Sequence, residues 1–430
     1  MSSLPLRGAA RPLPGGSRTS RASRFAVVVC FLVALIDGYD TLMLSFVAPL
    51  VSREWGMPPG AFGKVFAMSF AGAVVGAVAV GAAADRFGRR RLLLGSIAVA
   101  GGFILLSAGA NSPEQLMAWR FLSGIGLGGA IPTISALAAE HAHPERRSAT
   151  VSRMFLGFPI GAVAGGAITA ALMQQVGWRG IFVGGGTLAL ALLPLVFAMS
   201  EPKHEPANDP ARGSASPSPV RHPLAEVVAD GRAMGTAMIA TAAFMILLVS
   251  YFLLSWTPSV LAMNGMSPQR SALAGVMLNV GGVAGAFAMS FVVARRSPFG
   301  PVAICLALGA LLVPLFGLHV VDSVVGREMG GELVAFCLVF AIGLLVIGGQ
   351  MNIPALCVHY YPASVRATGV GLSMSIGRVG SIVGPLVGGM LMSAQLSWSR
   401  LFMLAAIPAL VAAAALGWVA RSRPADRSGG

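Results

Sequence analysis

The feature that most constrains this chain is a series of long apolar segments separated by short polar breaks. A helix needs roughly 20 apolar residues to cross a bilayer, and in lipid only helices and closed barrels satisfy their backbone hydrogen bonds. Of the 430 residues, 56% are hydrophobic and 11% are charged, whereas soluble domains carry roughly 25% charged residues. The sequence therefore predicts an all-α integral membrane protein.

Twelve segments are long enough to cross, and we call them spans 1 to 12. Their predicted limits are 25–50, 61–83, 91–110, 115–140, 149–173, 178–199, 233–257, 271–294, 300–320, 333–357, 366–392 and 400–420. The polar break after span 6 is rich in Pro, Ser and charge, which is typical of a flexible linker. The predicted organisation is a disordered cytoplasmic tail at 1–24, a six-helix bundle at 25–199, a cytoplasmic linker at 200–232, a second bundle at 233–420 and a cytoplasmic tail at 421–430.

The basic residues predict how the spans are oriented. The chain has 30 Lys and Arg against 16 acids, a formal charge of +14, which in a soluble protein would indicate a nucleic-acid partner. Here the charges lie between the spans, and no basic helix is interleaved with aromatic residues. With the N-terminus inside, 22 basic residues fall on the inner side and 6 on the outer side, in agreement with the positive-inside rule. We predict cytoplasmic termini, contact with the lipid bilayer, and no nucleic-acid partner.

Four glycines of span 5 recur in span 11 at a constant offset, so that Gly157, Gly161, Gly165 and Gly166 correspond to Gly380, Gly384, Gly388 and Gly389. Small residues four apart let two helices approach closely in lipid. The repeat predicts a duplicated architecture in which span 5 and span 11 hold equivalent places.

Ionisable residues inside a span mark candidate functional sites, because each costs at least ~2.5–3.5 kcal/mol at mid-bilayer. Asp37 and Asp40 share one face of span 1, and Gly38 between them is expected to weaken the helix locally. Arg120 of span 4 and Arg378 of span 11 are predicted at a similar depth. We predict a proton site at the two acids beside an anion site at the arginines. Static ion pairs that pin span 1 to spans 4 and 11 are the alternative.

A second group of charges lies in GAAADRFGRRR at 81–91, between spans 2 and 3. Its acid and arginines sit in a Gly-punctuated turn and can pair with acids at neighbouring helix ends, and Glu140 closes span 4 on the same side. Such pairs can hold a gate shut in one state and break in another. The gating residues predicted here are Gly81, Asp85, Arg86, Gly88, Arg89, Arg90 and Glu140.

The GxxxDRxGRR pattern at 81–90, with twelve spans and a central linker, resembles the major facilitator superfamily. More narrowly, six further features resemble the aromatic acid:H+ symporters: DGYD at 37–40, RFLSGIGLGGAIP at 120–132, Glu140, YFLLSWTP at 251–258, GGQ at 348–350 and RATGVGLSMSIGRVG at 366–380. The resemblance implies two six-helix bundles around a central cavity. It also implies import of a benzoate-type, hydroxybenzoate-type or hydroxyphenylpropionate-type acid by alternating access.

The resemblance implies roles for single residues as well. Asp37 and Asp40 match acids required for transport, and Asp85 with Arg89 matches the gating turn. Arg120 and Glu140 match a pair in span 4. Arg366 and Arg378 match the arginines of span 11, and Arg366 is a further gating candidate. The predicted substrate-binding residues are Arg120, Arg378, Asn279, Gln350, Tyr251 and Trp256. Asn352 and Phe155 are additional candidates, and the second-half copy of the turn, VVARRSPFG, lacks the acid.

Three other functions compete with import. A proton-coupled exporter of the same fold is the first. Exporters often carry GxxxGPxxGG in span 5, whereas this span reads GFPIGAVAGG and has no Pro after Gly161. A membrane enzyme is the second, but the histidines lie at loops or helix ends and neither a metal-ligand spacing nor a nucleophile motif is found. A sensor that does not transport is the third. We predict no enzyme activity, no cofactor and no metal, and a monomer in a bacterial cytoplasmic membrane.

Overall fold

The computed structural model describes residues 18–58, 60–143, 147–199, 223–293, 297–322, 329–362 and 365–422. Within these ranges the regular structure is entirely helical. The greater part of the predicted N-tail, linker and C-tail lies outside the described residues. Residues 18–24 of the predicted tail belong to the first helix, and a short helix, Pro223–Val228, precedes span 7.

The helices follow the predicted spans closely. Spans 1 to 4 are Arg18–Glu54, Phe62–Phe87, Arg89–Ala108 and Pro113–Glu140. Spans 5 and 6 comprise Arg147–Phe155, Gly157–Leu190 and Leu193–Phe197. Spans 7, 8 and 9 are Ala233–Met263, Pro268–Val293 and Phe299–Asp322. Span 10 comprises Met329–Ile342, the π-helical turn Gly343–Ile347, Gly348–Gln350 and Ile353–Tyr360. Spans 11 and 12 are Arg366–Ser393 and Trp398–Ser422.

Eleven helical stretches of the described chain are long and apolar enough to cross a membrane. One of them, Thr150–Phe197, has 48 residues and would be about 72 Å long if straight, more than twice the roughly 30 Å of a hydrocarbon core. It bends at Gly177, whose φ of 65° and ψ of 178° are not helical. This stretch therefore makes two crossings, spans 5 and 6, and the predicted number of twelve is reached.

Close contacts at glycine repeat in the two halves of the chain. A Cβ on Gly161 of span 5 would lie 1.9 Å from the carbonyl oxygen of Leu35 in span 1, and a Cβ on Gly384 of span 11 would lie 2.2 Å from that of Leu248 in span 7. Spans 2 and 4 pair in the same way, as do spans 8 and 10. The result is two six-helix bundles with matching internal pairs, in which span 5 and span 11 are equivalent.

Among the described residues, the two bundles share an apolar core on one side of the molecule. We call the side with the described chain ends, Arg18 and Ser422, the terminal face, and the opposite side the far face. At the far face the Phe66 ring meets Trp256 edge to face at 5.5 Å, and one apolar core contains residues of both bundles. Toward the terminal face each bundle has an apolar core of its own. The molecule is therefore closed at the far face and parted at the terminal face.

Candidate functional site

A cavity of about 280 Å³ lies between the bundles, lined by spans 1, 2, 4 and 5 on one side and spans 7, 10 and 11 on the other. An edge-to-face contact of Phe70 with Tyr251, 4.7 Å between ring centroids, bounds it toward the far face. This contact lies roughly one turn nearer the terminal face than that of Phe66 with Trp256. Ligand pockets of roughly 300–1,000 Å³ hold drug-sized molecules, so this cavity suits a small solute. Its polar lining residues are Asp37, Thr41, Tyr251, Gln350, Arg378 and Ser381.

Asp37 and Arg378 approach this cavity from opposite bundles. The Asp37 carboxylate is partly exposed, and no ion pair within 4 Å joins it to any described side chain. It is within Coulombic range of the Arg378 guanidinium, and both side chains line the same space. Each is therefore available to a solute or a proton rather than neutralised by the other.

Asp40 and Arg120 form a closed pair inside the N-terminal bundle. Nη1 and Nη2 of Arg120 donate to the two carboxylate oxygens of Asp40 over 2.7 and 2.6 Å, and Nε donates to the Ser69 hydroxyl over 3.2 Å. Arg120 is 1% exposed and Asp40 is 2% exposed, and the ring of Phe182 lies 5.9 Å from the guanidinium. A two-bond guanidinium–carboxylate contact is among the strongest that side chains make. Neither residue lines the central cavity.

A smaller cavity of about 30 Å³ lies between the two acids. Asp37, Asp40, Ser69 and Arg120 all line it, and Asp37 lines the central cavity as well. A water molecule needs roughly 10–15 Å³ of such space and two to four polar partners. Span 1 thus presents one acid to the central cavity and the next to a water-sized space behind it.

The remaining predicted substrate-binding residues divide into two groups. Tyr251 and Gln350 line the central cavity. Trp256 is buried between the bundles, where its Nε1 donates to the Pro385 carbonyl oxygen over 3.0 Å. Asn279 is buried, and its Nδ2 donates to the Gly275 carbonyl oxygen over 2.8 Å within its own helix. Neither Trp256 nor Asn279 lines the cavity.

The structure also shows the surroundings of Asn352, Phe155 and Gly38. Asn352 is buried, and its Nδ2 donates to the Gly348 carbonyl oxygen over 2.8 Å, whereas Phe155 is exposed at the surface of the bundle. The helix of span 1 continues unbroken through Gly38, contrary to the expected local weakening. A Cβ there would lie 1.9 Å from the Phe158 carbonyl oxygen. The glycine serves close packing of span 1 on span 5.

The predicted gating residues lie at the terminal face, where the following contacts join some of them to residues of their own bundle. Arg89 pairs with Glu140 of span 4, and Arg90 donates to the Phe197 carbonyl oxygen of span 6. Gly88, with a φ of 85°, makes the turn between spans 2 and 3. A Cβ on Gly81 would meet no atom within 4 Å.

In the second half, Nε of Arg366 donates to the Tyr361 carbonyl oxygen over 3.3 Å. Asp85 and Arg86 belong to the helix of span 2, but their side chains lie outside the described residues.

Sequence reasoning missed several residues of the site. Ser69 supports Arg120, and Phe70 and Ser381 line the cavity. No motif marks Ser69 or Phe70, because their importance comes from the helix that faces them. Pro354 also lines the cavity. Its position four residues after Gln350 was a signal in the sequence, since proline has no N–H to donate to the carbonyl oxygen four residues earlier.

A family model described as the Major Facilitator Superfamily matches residues 30–379. The chain belongs to the Major Facilitator Superfamily. This major facilitator chain is 35% identical over 419 residues to a gallate transporter of Pseudomonas putida, with 91% of this chain and 90% of the relative covered. It is 32% identical over 419 residues to the 4-hydroxybenzoate transporter PcaK of the same species, with 91% of each covered.

Among solved structures, the major facilitator chain is similar to a bacterial homolog of the human lysosomal transporter Spinster. The TM-score is 0.77 at 16% identity, with 95% of this chain and 98% of the other covered. The predicted twelve-helix fold and the predicted resemblance to aromatic acid transporters are confirmed. The family consists of transporters, so the protein is a multi-pass membrane transporter and not an enzyme, as predicted.

Proposed function

We propose that this protein is a monomeric proton-coupled symporter that imports a small aromatic carboxylate across the cytoplasmic membrane of a bacterium by alternating access. The substrates named for its two relatives are aromatic acids. The observation that carries the proposal is the separation of two charge systems. Asp37 and Arg378 share the central cavity without an ion pair, whereas Asp40 and Arg120 are locked together beside it.

Arg378 is the anion site of this proposal. A guanidinium presents a planar fork of donors that matches a carboxylate, and this one lines the cavity without a described ion-pair partner. Arg120 has both terminal nitrogens engaged by Asp40, so it does not compete for the substrate in this state. Phe70, Phe158 and Met374 supply apolar and aromatic wall for a ring.

Asp37 is the proton site. An ionised carboxylate in a low-dielectric cavity needs a positive partner, and Arg378, which shares the cavity, is the partner in this proposal. When a substrate carboxylate occupies Arg378, Asp37 faces a second negative charge and loses that support. Protonation of Asp37 removes the repulsion. Substrate and proton then bind together, and the loaded cavity carries no additional charge.

Neutral loading explains why the carrier would close around substrate and proton together. A cavity with an uncompensated charge is costly to seal from water, whereas a neutral one is not. In this proposal the terminal face is cytoplasmic, as the positive-inside count predicts. The state described here then faces the cytoplasm, and rocking of the two bundles about the cavity exposes it to the outside.

Reconstituted proteoliposomes test the proposal. Uptake of labelled aromatic acids is measured with an inward proton gradient, with a membrane potential alone, and with neither. Because one proton accompanies one anion, the proton gradient should drive accumulation and the potential alone should not. Protein-free liposomes correct for passive entry of the protonated acids, and Asp37→Asn should abolish the gradient-driven component.

Two results oppose the proposal. Accumulation that requires a proton gradient of the opposite sense would assign the exporter function instead. Unchanged gradient-driven uptake by the Asp37→Asn variant would remove Asp37 from the proton path.

A further inference from the structure

Gln350 is a polar residue of the cavity wall whose side-chain oxygen is unpaired in the described part of the chain. Its side-chain oxygen is buried and has no hydrogen-bond partner among the described residues, yet the residue lines the central cavity. Leaving a buried amide oxygen unsatisfied costs roughly 1–3 kcal/mol. Such an atom in a cavity wall calls for a donor that the described protein does not supply.

The backbone carbonyl oxygen of Gln350 lacks the donor that a regular helix would provide. In a continuous helix its carbonyl oxygen would accept from the residue four later, which is Pro354, and proline has no N–H. The helix ends at Gln350 and resumes at Ile353. The bonds that bridge this break end on other carbonyls: Met351 N–H donates to Ile347, and Asn352 N–H donates to Gly349. Gln350 thus has a side-chain oxygen that no described residue pairs, at a point where residue 354 cannot donate to its backbone oxygen.

These acceptors do not suit the carboxylate of a substrate, which has no proton to give when ionised. A hydroxyl group on the aromatic ring is the complementary partner, because it both donates and accepts. The terminal amide of Gln350 turns about a broad torsion, so either its oxygen or its nitrogen can be turned toward such a hydroxyl. Arg378, on the adjacent span 11, remains free for the carboxylate.

We infer that Gln350 is a specificity-determining residue that selects aromatic carboxylates bearing a ring hydroxyl over unsubstituted ones. The inference rests on the proposed function, since it concerns the same cavity and the same class of substrate. A site built to hydrogen-bond a substrate hydroxyl rejects the analogue that lacks it, because the polar groups of the site are then left unpaired. Benzoate should therefore bind more weakly than its hydroxylated relatives.

Tyr251 is the competing explanation, because its hydroxyl group belongs to a residue of the same cavity. That hydroxyl group, too, can donate to or accept from a ring hydroxyl. The experiment must therefore separate an effect of Gln350 from an effect of Tyr251.

The test is equilibrium binding of benzoate, 3-hydroxybenzoate, 4-hydroxybenzoate and 4-methoxybenzoate to purified protein in detergent. The variants are Gln350→Leu, Tyr251→Phe and the control Met351→Leu, an apolar exchange in the same wall. For the unaltered protein we expect at least one hydroxybenzoate to bind about ten-fold or more tightly than benzoate, and 4-methoxybenzoate not to share the gain of 4-hydroxybenzoate. Gln350→Leu should bring the ratio of hydroxybenzoate to benzoate affinity close to one. Met351→Leu should keep the preference.

The possible results separate this inference from the proposed function. If the unaltered protein binds benzoate and both hydroxybenzoates equally, or if the preference survives in Gln350→Leu, the inference is wrong while the proposed function stands. Loss of the preference in Tyr251→Phe alone would assign it to Tyr251 and overturn the inference too. Failure of every acid to bind the unaltered protein, and to be taken up in proteoliposomes, would overturn both. Circular dichroism and elution volume of each variant confirm that it is folded.

Discussion

Arg120 donates to both carboxylate oxygens of Asp40, over 2.7 and 2.6 Å, whereas Asp37, three residues earlier on the same helix, forms no ion pair with a described side chain. Two acids of one motif therefore occupy different electrostatic environments. One belongs to a buried pair that ties span 1 to span 4. The other borders a solute-sized cavity between the bundles.

This difference predicts that the same substitution lowers stability by different amounts at the two acids. Asp40→Asn leaves the Arg120 charge buried without its partner, and breaking a buried pair costs about 3–5 kcal/mol of the free energy of unfolding. Asp37→Asn removes no described ion pair, so it should lower the free energy of unfolding much less than Asp40→Asn does. Thermal unfolding of both variants in detergent measures the contrast.

A double variant serves as the control for that experiment. Asp40→Leu combined with Arg120→Met replaces both charges by apolar groups of similar size, so no buried charge is left alone. It should recover most of the stability lost in Asp40→Asn. Equal stability of the Asp40→Asn and unaltered proteins would show that the pair contributes little in the bilayer or detergent.

The shape of the Arg378 head group should matter to substrate affinity. Arg378→Lys keeps the positive charge but loses the planar fork that binds a carboxylate through two hydrogen bonds. One charge-assisted bond is worth roughly 1.5–3 kcal/mol, so substrate affinity should fall about ten-fold or more. Isothermal titration with an aromatic acid measures it. Thermal stability should stay constant, because no described ion pair is lost, and unaltered affinity would move the anion site away from Arg378.

Gly60 offers a way to shift the conformational balance. A Cβ there would lie 2.0 Å from the Gly389 carbonyl oxygen across the closed far face, so Gly60→Ala should disfavour the closed arrangement and part the bundles on that side. Spin labels at Glu114→Cys and Ser397→Cys, in a background whose four native cysteines are replaced, report the separation. We expect a population at longer distance.

The matched control is Gly95→Ala in span 3, where an added Cβ would meet no atom within 4 Å. That variant should leave the distance distribution unchanged. An identical distribution for Gly60→Ala and the unaltered protein would mean that spans 2 and 11 yield locally and do not hold the far face shut.

The Arg89–Glu140 pair should contribute to rate rather than to stability. Both side chains are 30% exposed, and exposed pairs contribute roughly 0–1 kcal/mol. Glu140→Gln should therefore leave the unfolding temperature nearly constant while lowering the initial rate of uptake, if the pair takes part in gating. The charge-reversed pair, Arg89→Glu with Glu140→Arg, should restore part of the rate. A Glu140→Gln variant that transports at the full rate would exclude the pair from the gate.

Much of the fold could be predicted because it depends on lengths measured along the chain. An apolar run of about 20 residues has one stable arrangement in lipid whatever its neighbours are, and twelve such runs followed directly. The offset between Gly157 and Gly380 likewise indicated equivalent places for spans 5 and 11, since close approach of two helices needs small residues at a regular spacing. The bend at Gly177 is local as well, because its positive φ favours glycine.

The site could be predicted only in part. Asp37, Tyr251, Gln350 and Arg378 do meet at one cavity, as expected from residues whose polarity is costly inside a membrane. Trp256 and Asn279 carry polar groups of the same kind but satisfy them on neighbouring backbone. The residue types do not distinguish the two cases, because whether a side chain faces the cavity or bonds to backbone depends on how its helix is turned against its neighbours.

From the sequence alone it follows that the chain has twelve segments apolar enough to cross a membrane and that two acids and two arginines lie within them. Tertiary structure alone decided which acid meets which arginine. Successive residues of a helix turn by about 100°, so Asp37 and Asp40 point some 60° apart, one toward the gap between the bundles and the other into span 4. The rotation of span 1 about its own axis follows from packing contacts with several neighbours, such as Gly38 on Phe158. The apolar sequence of one helix does not specify that rotation.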